Sequence, residues 1–287
     1  MDLKRPFLKW AGGKTKLVAA IRNTVPRSAT RLIEPFVGGG AVALNLGLPT
    51  GLLADTNPDL IDVYARLRES AESFVAECAA LFTEAGNSAE TYYERRKEFN
   101  GATDRRRRAA LFIYLNRHGF NGLCRYNSKG GFNVPFGRYT SPRFPRDEMR
   151  AFAAMLQRCT LQHADFRPVL AQAGAGDFVY CDPPYVPASA TANFTGYAPG
   201  GFTARDQSDL VACCTAAAQR GACVALSNHD TPETRALYRG ADECRELLVA
   251  RRISCNISKR TPARELLAVF RPPIADCATG PAQSTAA

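Results

Sequence analysis

Asp177-Phe178-Val179-Tyr180-Cys181-Asp182-Pro183-Pro184-Tyr185 joins a short apolar run to an acid, two prolines and an aromatic. The run from Phe178 to Cys181 predicts a buried strand. The prolines must end it, because proline has no amide hydrogen to give a sheet ladder. In an open α/β sheet, ligands bind at the carboxyl ends of the strands. At that edge the chain offers the Asp182 carboxylate, the Pro183 carbonyl (aimed by locked proline φ angles) and the flat ring of Tyr185. Two acceptors and a stacking face suit a planar molecule bearing an amino group, and a nucleobase amine fits. A Pro-Pro loop terminator with an N-capping Asp is the plainer use of the same residues.

Further strands read outward from this one. Arg31 to Phe36, then Gly38-Gly39-Gly40 and an apolar stretch from Ala41 to Leu46, predict a strand, a glycine turn and a helix, the first unit of a Rossmann-like sheet. The G-x-G-x-x-G spacing of a dinucleotide site is absent. Gly51 to Asp55 predicts a second strand ending in an acid, about 20 residues past the glycines, where an acid commonly binds ribose hydroxyls. A ribose without a phosphate fits this pattern as well as a dinucleotide does. Asp55 also suits a helix N-cap before Pro58. Lys14-Thr15 follows Gly12-Gly13 without the spacing of a P-loop. Leu161 to Phe166 and Cys223 to Asp230 predict strands with polar ends, and Glu246 to Val249 and Leu266 to Phe270 close the sheet. His229 is expected to order a loop rather than act as a base. Asn193 to Gly201 reads as a glycine-rich loop beside the site, and the segment after Pro273 as a disordered tail.

Composition narrows the partner. The chain of 287 residues carries a formal net charge of +10, which points to a polyanion. Ten cysteines are scattered without a Cys-x-x-Cys pair, so reduced thiols in a cytoplasmic protein are expected. With only three separated histidines, no metal is expected. No apolar run approaches the ~18 residues of a membrane span, and no secretory signal is read at the start.

Pro58 to Ala110 has helical periodicity and reads as an insert between the second strand and the later ones. Arg105 to Arg108 is a run of arginines that suits either phosphate contact or a solvated helix start. Asn116 to Tyr139 interleaves basic residues with aromatics, as nucleic-acid surfaces do, and Gly130-Gly131 looks like a hairpin turn.

Asp-Pro-Pro-Tyr resembles the motif of amino-group DNA methyltransferases. The stretches Lys9 to Lys14, Glu34 to Gly40, Leu115 to Asn127 and Ser227 to Asp230 narrow the likeness to Dam-type adenine-N6 methyltransferases, from about Phe7 to Arg271. The resemblance implies a Rossmann-like methyltransferase sheet with helices on both faces, formed by residues 1–57 and 145–272. It places a helical target-recognition lobe with a β-hairpin at 58–144. S-adenosylmethionine would be held by Trp10, Lys14, Glu34, Phe36, Gly38, Gly40, Asp55, Asp165, Phe166 and Asp182. Trp10 equally suits a core position, and Asp165-Phe166 a capped loop.

The resemblance also implies a double-stranded DNA substrate, with GATC as the target, and a monomer is expected. Lys9 would face DNA, and Phe120 and Asn121 would sit where a base is extruded. Leu123, Arg125 and Pro135 would meet base edges, with Tyr139 beside them. Arg96, Arg117, Asn127 and Arg138 would meet phosphates. Phe120 stands where the family has a tyrosine, which keeps a ring and loses a hydroxyl.

In the chemistry this implies, Asp182 and the Pro183 carbonyl accept both hydrogens of the adenine amine. They return electron density to its nitrogen and stabilise the charge that develops there, while Tyr185 stacks on the base. The competing expectations are a cytosine-N4 methyltransferase, a DNA-binding protein of the same fold without turnover, and a protein-glutamine methyltransferase. The Dam-like hairpin argues against the first. Intact Gly38, Gly40, Asp55 and Asp182 argue against the second. Asp in place of Asn before the prolines argues against the third.

Overall fold

The computed structural model describes residues 3–186, 201–249 and 263–273. The expected Asn193–Gly201 loop, apart from Gly201 itself, the basic residues Arg251, Arg252, Lys259 and Arg260, and the tail from 274 onward lie outside them. Seven strands are described: β1 (Arg31–Glu34), β2 (Thr50–Asp55), β3 (Cys159–His163), β4 (Asp177–Cys181), β5 (Cys223–His229), β6 (Glu243–Val249) and β7 (Ala263–Phe270). They form one sheet in the order β3-β2-β1-β4-β5-β7-β6. The neighbours from β3 to β5 are parallel, and β7 runs antiparallel between β5 and β6. The chain leaves β1 toward β2 and β3 and returns to β4 on β1's other side. The crevice beyond the ends of β1 and β4 is therefore the topological switch point of a Rossmann-like sheet.

Side chains alternate across β4, so its two faces bury different cores. Phe178 and Tyr180 pack with Leu53, Leu267 and Val269 on one face. Val179 and Cys181 pack with Ile33, Val224 and Leu226 on the other, under α7 (Phe166–Leu170) and α8 (Ala204–Gln219). The first face is covered by α1 (Val18–Arg22), α2 (Ala41–Leu46), α3 (Pro58–Ala79) and α6 (Arg146–Leu156). α9 (Pro232–Leu237) follows β5. Among the described residues no helix is long and apolar enough to cross a membrane.

The segment between β2 and β3 adds α4 (Ala89–Gly101) and α5 (Arg105–His118). Its aromatics Tyr92, Phe99, Phe112, Tyr114 and Phe132 join the same continuous core as the first sheet face. α5 is fixed to α3 by charge. Arg108 grips Asp59 with Nε 2.5 Å and Nη2 3.0 Å away, and Arg105 pairs with Asp62. Arg106 meets Glu77 and Ser70, and Arg107 meets Glu98. Each arginine of the run thus has a carboxylate partner within the protein.

The expected hairpin is looser than a ladder of two strands. Its arms form no continuous ladder; Gly119–Phe136 and Tyr126–Phe132 are isolated bridges. The Asn127 side chain accepts from the Lys129 and Gly131 amides and closes the tip.

Candidate active site and nucleic-acid interface

The strand ends place three carboxylates around the crevice. Glu34 ends β1, Asp55 ends β2, and Asp182 follows β4. Glu34 is buried, and its Oε2 accepts from the Ala43 amide at 2.9 Å. Burial pushes its carboxyl well above the usual glutamate range. The Ala43 N–H partly opposes that rise, and the charge of Asp182 adds to it.

Asp55 is held by both oxygens, accepting Gly38 N–H at 3.0 Å and Asn57 N–H at 2.9 Å. The cap of α3 is Asn57, whose side chain receives the Asp59 and Leu60 amides, so the helix-cap reading of Asp55 is displaced by two residues. Burial raises the Asp55 carboxyl, and the amide hydrogens of Asn57 and Gly38 oppose the rise. Gly38 is in the left-handed region at φ 46°, and a Cβ there would lie 2.6 Å from the indole nitrogen of Trp10. Trp10 therefore lies on the glycine turn, half-buried, rather than deep in the core. Gly40 occupies the N-cap of α2.

Rings of Phe36 and Phe166 stack at 5.6 Å beside Phe202. Phe166 is buried in this cluster, while Asp165 caps α7 and pairs with Arg167. Phe202 was not singled out from sequence. It follows a glycine-rich stretch and no periodicity marks it.

Asp182 is engaged from two sides. Lys14 Nζ lies 2.9 Å from Oδ1, and the Ser227 hydroxyl donates to the same oxygen at 3.1 Å. Lys14 is buried and also donates to the Gly12 carbonyl at 2.6 Å. Its ammonium sits 4.7 Å from the centre of the Tyr185 ring. Tyr185 donates to Glu265 Oε2 at 2.8 Å, and burial keeps its hydroxyl protonated. Among the described residues Asp182 Oδ2 and the Pro183 carbonyl have no hydrogen-bond partner, whereas the next carbonyl, of Pro184, is taken by Gln207. His229 Nδ1 meets the Val186 carbonyl at 2.8 Å and packs edge-on to Tyr185, which makes it a loop-ordering residue as read from sequence. Cys181 is buried in the core, with its thiol raised by burial.

The second group of residues lines the open side of the insert. Phe120, Asn121, Arg125, Asn127, Pro135 and Arg138 are exposed, and Phe120 retains 48 % of its surface. Asn121 and Arg138 hold positive φ without being glycine, at 53° and 54°. Such backbone persists only where its surroundings impose it. Arg125 is braced by Asn133, with Nε 2.8 Å from Oδ1. Arg96 donates to the Val134 carbonyl and lies over the Tyr93 ring. Arg117 is partly buried and donates to the Arg143 carbonyl. Leu123 is half-buried at the edge of the core.

Lys9 stands between the crevice and this face. Asn116, itself buried, accepts the Lys9 amide and donates to the Lys9 and Gly122 carbonyls. Gly122 has φ 63°, and a Cβ there would overlap Lys9 at 2.2 Å. The Lys9 ammonium rests 3.8 Å over the Tyr139 ring and donates to the Arg117 carbonyl. Burial and the Arg117 charge lower it to about 8. Asn116, Asn133 and Ser227 carry geometry that the sequence reading did not assign to them individually.

What could occupy the crevice follows from its donors and acceptors. Carboxylate acceptors dominate, and its one buried lysine is paired with Asp182. Such a set fits a molecule with hydroxyls, an amine and a flat base, and no pyrophosphate.

The D12 class N6 adenine-specific DNA methyltransferase family model matches residues 10–251. The DNA adenine methylase of Vibrio cholerae serotype O1 is 48 % identical, over 95 % of this chain and 98 % of that protein. Those of Serratia marcescens and Escherichia coli K12 are 46 % and 44 % identical, over 94 % and 95 % of this chain and 100 % and 97 % of theirs. A solved precorrin-6y C5,15-methyltransferase from Geobacter metallireducens aligns at 10 % identity with a TM-score of 0.37, over 89 % of this chain and 88 % of that one.

Proposed function

The chain belongs to the D12 class N6 adenine-specific DNA methyltransferases, and from that premise we propose that it methylates adenine in GATC after turning the base out of the duplex. S-adenosylmethionine supplies a methyl group on a positively charged sulfur. Asp55, Glu34, Phe36, Gly38, Gly40, Trp10, Lys14, Asp165 and Phe166 hold it in this reading, with Asp55 toward the ribose and the Phe36–Phe166 rings toward its base.

The observation that carries the proposal is the pair of acceptors Asp182 Oδ2 and Pro183 C=O at the switch point, beside a fixed Tyr185 ring. An adenine amine placed between them donates both of its N–H groups as hydrogen bonds and, once methylated, sheds one of those protons to solvent. Its nitrogen lone pair, otherwise spread into the ring, becomes the better nucleophile, and the positive charge that develops on it is stabilised. Lys14 and Ser227 bind only Oδ1, which leaves Oδ2 for the amine while fixing the carboxylate plane. The amine cannot reach this site within a paired duplex, so the base must leave the stack, and Tyr185 gives it a face. The exposed Phe120 ring, with Asn121, fills the gap. Lys9, Leu123, Arg125, Pro135 and Tyr139 read the site, and Arg96, Arg117, Asn127 and Arg138 anchor phosphates.

The reading makes residues 1–57 and 145–272 the catalytic unit and 58–144 the target-recognition lobe. It has the protein act as a monomer on double-stranded DNA in the cytoplasm. The test is Asp182→Ala, assayed for methyl transfer and for DNA binding. Transfer should vanish while a gel shift persists, and even a tenth of wild-type turnover would remove Asp182 from the amine. Plasmid made with the wild-type protein, cut by nucleases that differ in sensitivity to methylated GATC, tests the target.

A further inference from the structure

Behind Tyr185 lies a chain of buried amides that no step of the transfer uses. Gln207, on the first turn of α8, donates from Nε2 to the Pro184 carbonyl at 2.9 Å. Asn228, near the end of β5, accepts the Val186 amide on Oδ1 at 3.0 Å and the His229 amide at 2.9 Å. Its Nδ2 donates to Gln207 Oε1 at 3.2 Å and to the Tyr238 hydroxyl at 2.9 Å. Gln207, Asn228 and Tyr238 are exposed by 5 %, 0 % and 1 %.

The direction of these bonds is forced. Two backbone N–H groups point at Asn228, so the atom facing them must be its oxygen, and its NH2 must face Gln207 and Tyr238. The Gln207 oxygen then faces Asn228, and its NH2 can only face Pro184. The relay has one self-consistent arrangement. It grips the Pro184 carbonyl on one side of Tyr185 and the Val186 amide on the other. With the Tyr185 hydroxyl on Glu265, the ring is fixed at both flanking peptide planes and at its tip.

We infer that Gln207 and Asn228 are positioning residues that set the Tyr185 face and, one residue back, the Pro183 carbonyl for the target base. Neither touches the reacting atoms. This rests on reading Asp182–Tyr185 as the methyl-transfer motif. Displacement of a reacting group by about 1 Å can cost roughly a hundredfold in rate. Loss of the brace should therefore lower the chemical step and leave the methyl donor's site alone, because Asp55 ends β2 and Phe36 follows β1, away from the turn after β4.

The experiment compares Gln207→Leu, Gln207→Glu and Asp182→Ala by single-turnover methylation, S-adenosylmethionine affinity and melting temperature. Gln207→Leu keeps the volume and loses both bonds, and its rate should fall about 10- to 100-fold with donor affinity within twofold of wild type. Gln207→Glu keeps the acceptor for Asn228 but can donate to Pro184 only when its carboxyl is protonated. Burial raises that carboxyl into an accessible range. Relative to wild type, its rate should climb as pH is lowered from 8 toward 6.

Two results would overturn the inference while Asp182→Ala is inactive. One is a Gln207→Leu rate above half of wild type. The other is a Gln207→Glu profile parallel to wild type. If Gln207→Leu fails to fold, the Gln207→Glu profile decides alone. An active Asp182→Ala would instead overturn the reading of the motif on which the inference stands.

Discussion

Lys14 and Asp182, from a loop before the first strand and a turn after the fourth, meet as an ion pair 2.9 Å apart, with side chains 5 % and 21 % exposed. Removing one member of a buried pair leaves an uncompensated charge. Lys14→Met should destabilise the fold by about 3 kcal/mol, the low end for such a loss because Asp182 keeps some water. Adding Asp182→Asn should recover part of that cost, since the stranded charge is gone. Urea denaturation of the wild type, both single variants and the double variant measures the coupling. Strict additivity would mean that the pair contributes nothing to stability.

Asp55 accepts two backbone hydrogen bonds, and its remaining lone pairs should meet the ribose of S-adenosylmethionine. Loss of a charged hydrogen bond costs about 1.5–3 kcal/mol, so Asp55→Ala should weaken S-adenosylmethionine binding by roughly 10- to 150-fold. Calorimetry is the direct measurement, and unchanged affinity would move the ribose elsewhere.

The Lys9 ammonium is lowered to about 8, so DNA recognition should show a pH edge. Below that value Lys9 is charged and adds to the attraction of DNA. Above it the charge is lost, so affinity should fall and the salt slope should shrink by about one unit. Stability moves the other way. Between the folded value and the higher unfolded one, the unfolded chain holds the extra proton, so stability rises with pH across that window. Titrating binding by anisotropy from pH 7 to 9.5 should show the edge in wild type and not in Lys9→Gln. Matching profiles would mean that Lys9 is not the titrating group.

Arg125 is exposed yet held in one direction by Asn133. An arginine so aimed can bind guanine O6 and N7 together, which is worth about 1–3 kcal/mol of discrimination. Arg125→Ala should lower activity on GATC and relax the choice at one position, and Asn133→Ala should do the same more weakly. Activity on GATC and its single-base variants at two salt concentrations separates this from phosphate anchoring. A uniform loss with a smaller salt slope would make Arg125 an anchor.

Much of the sheet was legible in the chain because its causes are local. Phe178 to Cys181 is an apolar run stopped by prolines, and it is strand β4. Ala41 to Leu46, after three glycines, is α2 with the expected bounds. The arginine run shows where local reading stops. Composition marks four positive charges, but whether they face phosphate or protein depends on Asp59, Asp62, Glu77 and Glu98, which only folding brings alongside. The hairpin's glycines were visible, while the sparseness of its bridges depends on how its arms pack on α4 and α5.

The sequence by itself determined which strand end carries the acceptors, because proline's missing hydrogen and fixed φ act within one residue. It also determined that a second strand, after the glycine turn, would end in an acid, Asp55. Only the tertiary structure decided which oxygen of Asp182 is spent and which is left. Lys14 and Ser227 reach Oδ1 from opposite ends of the chain, and the direction of a side-chain hydrogen bond is a property of the assembled neighbours. The same holds for Gln207 and Asn228, ordinary polar residues in sequence, whose buried amides acquire a direction only when two backbone N–H groups converge on one of them.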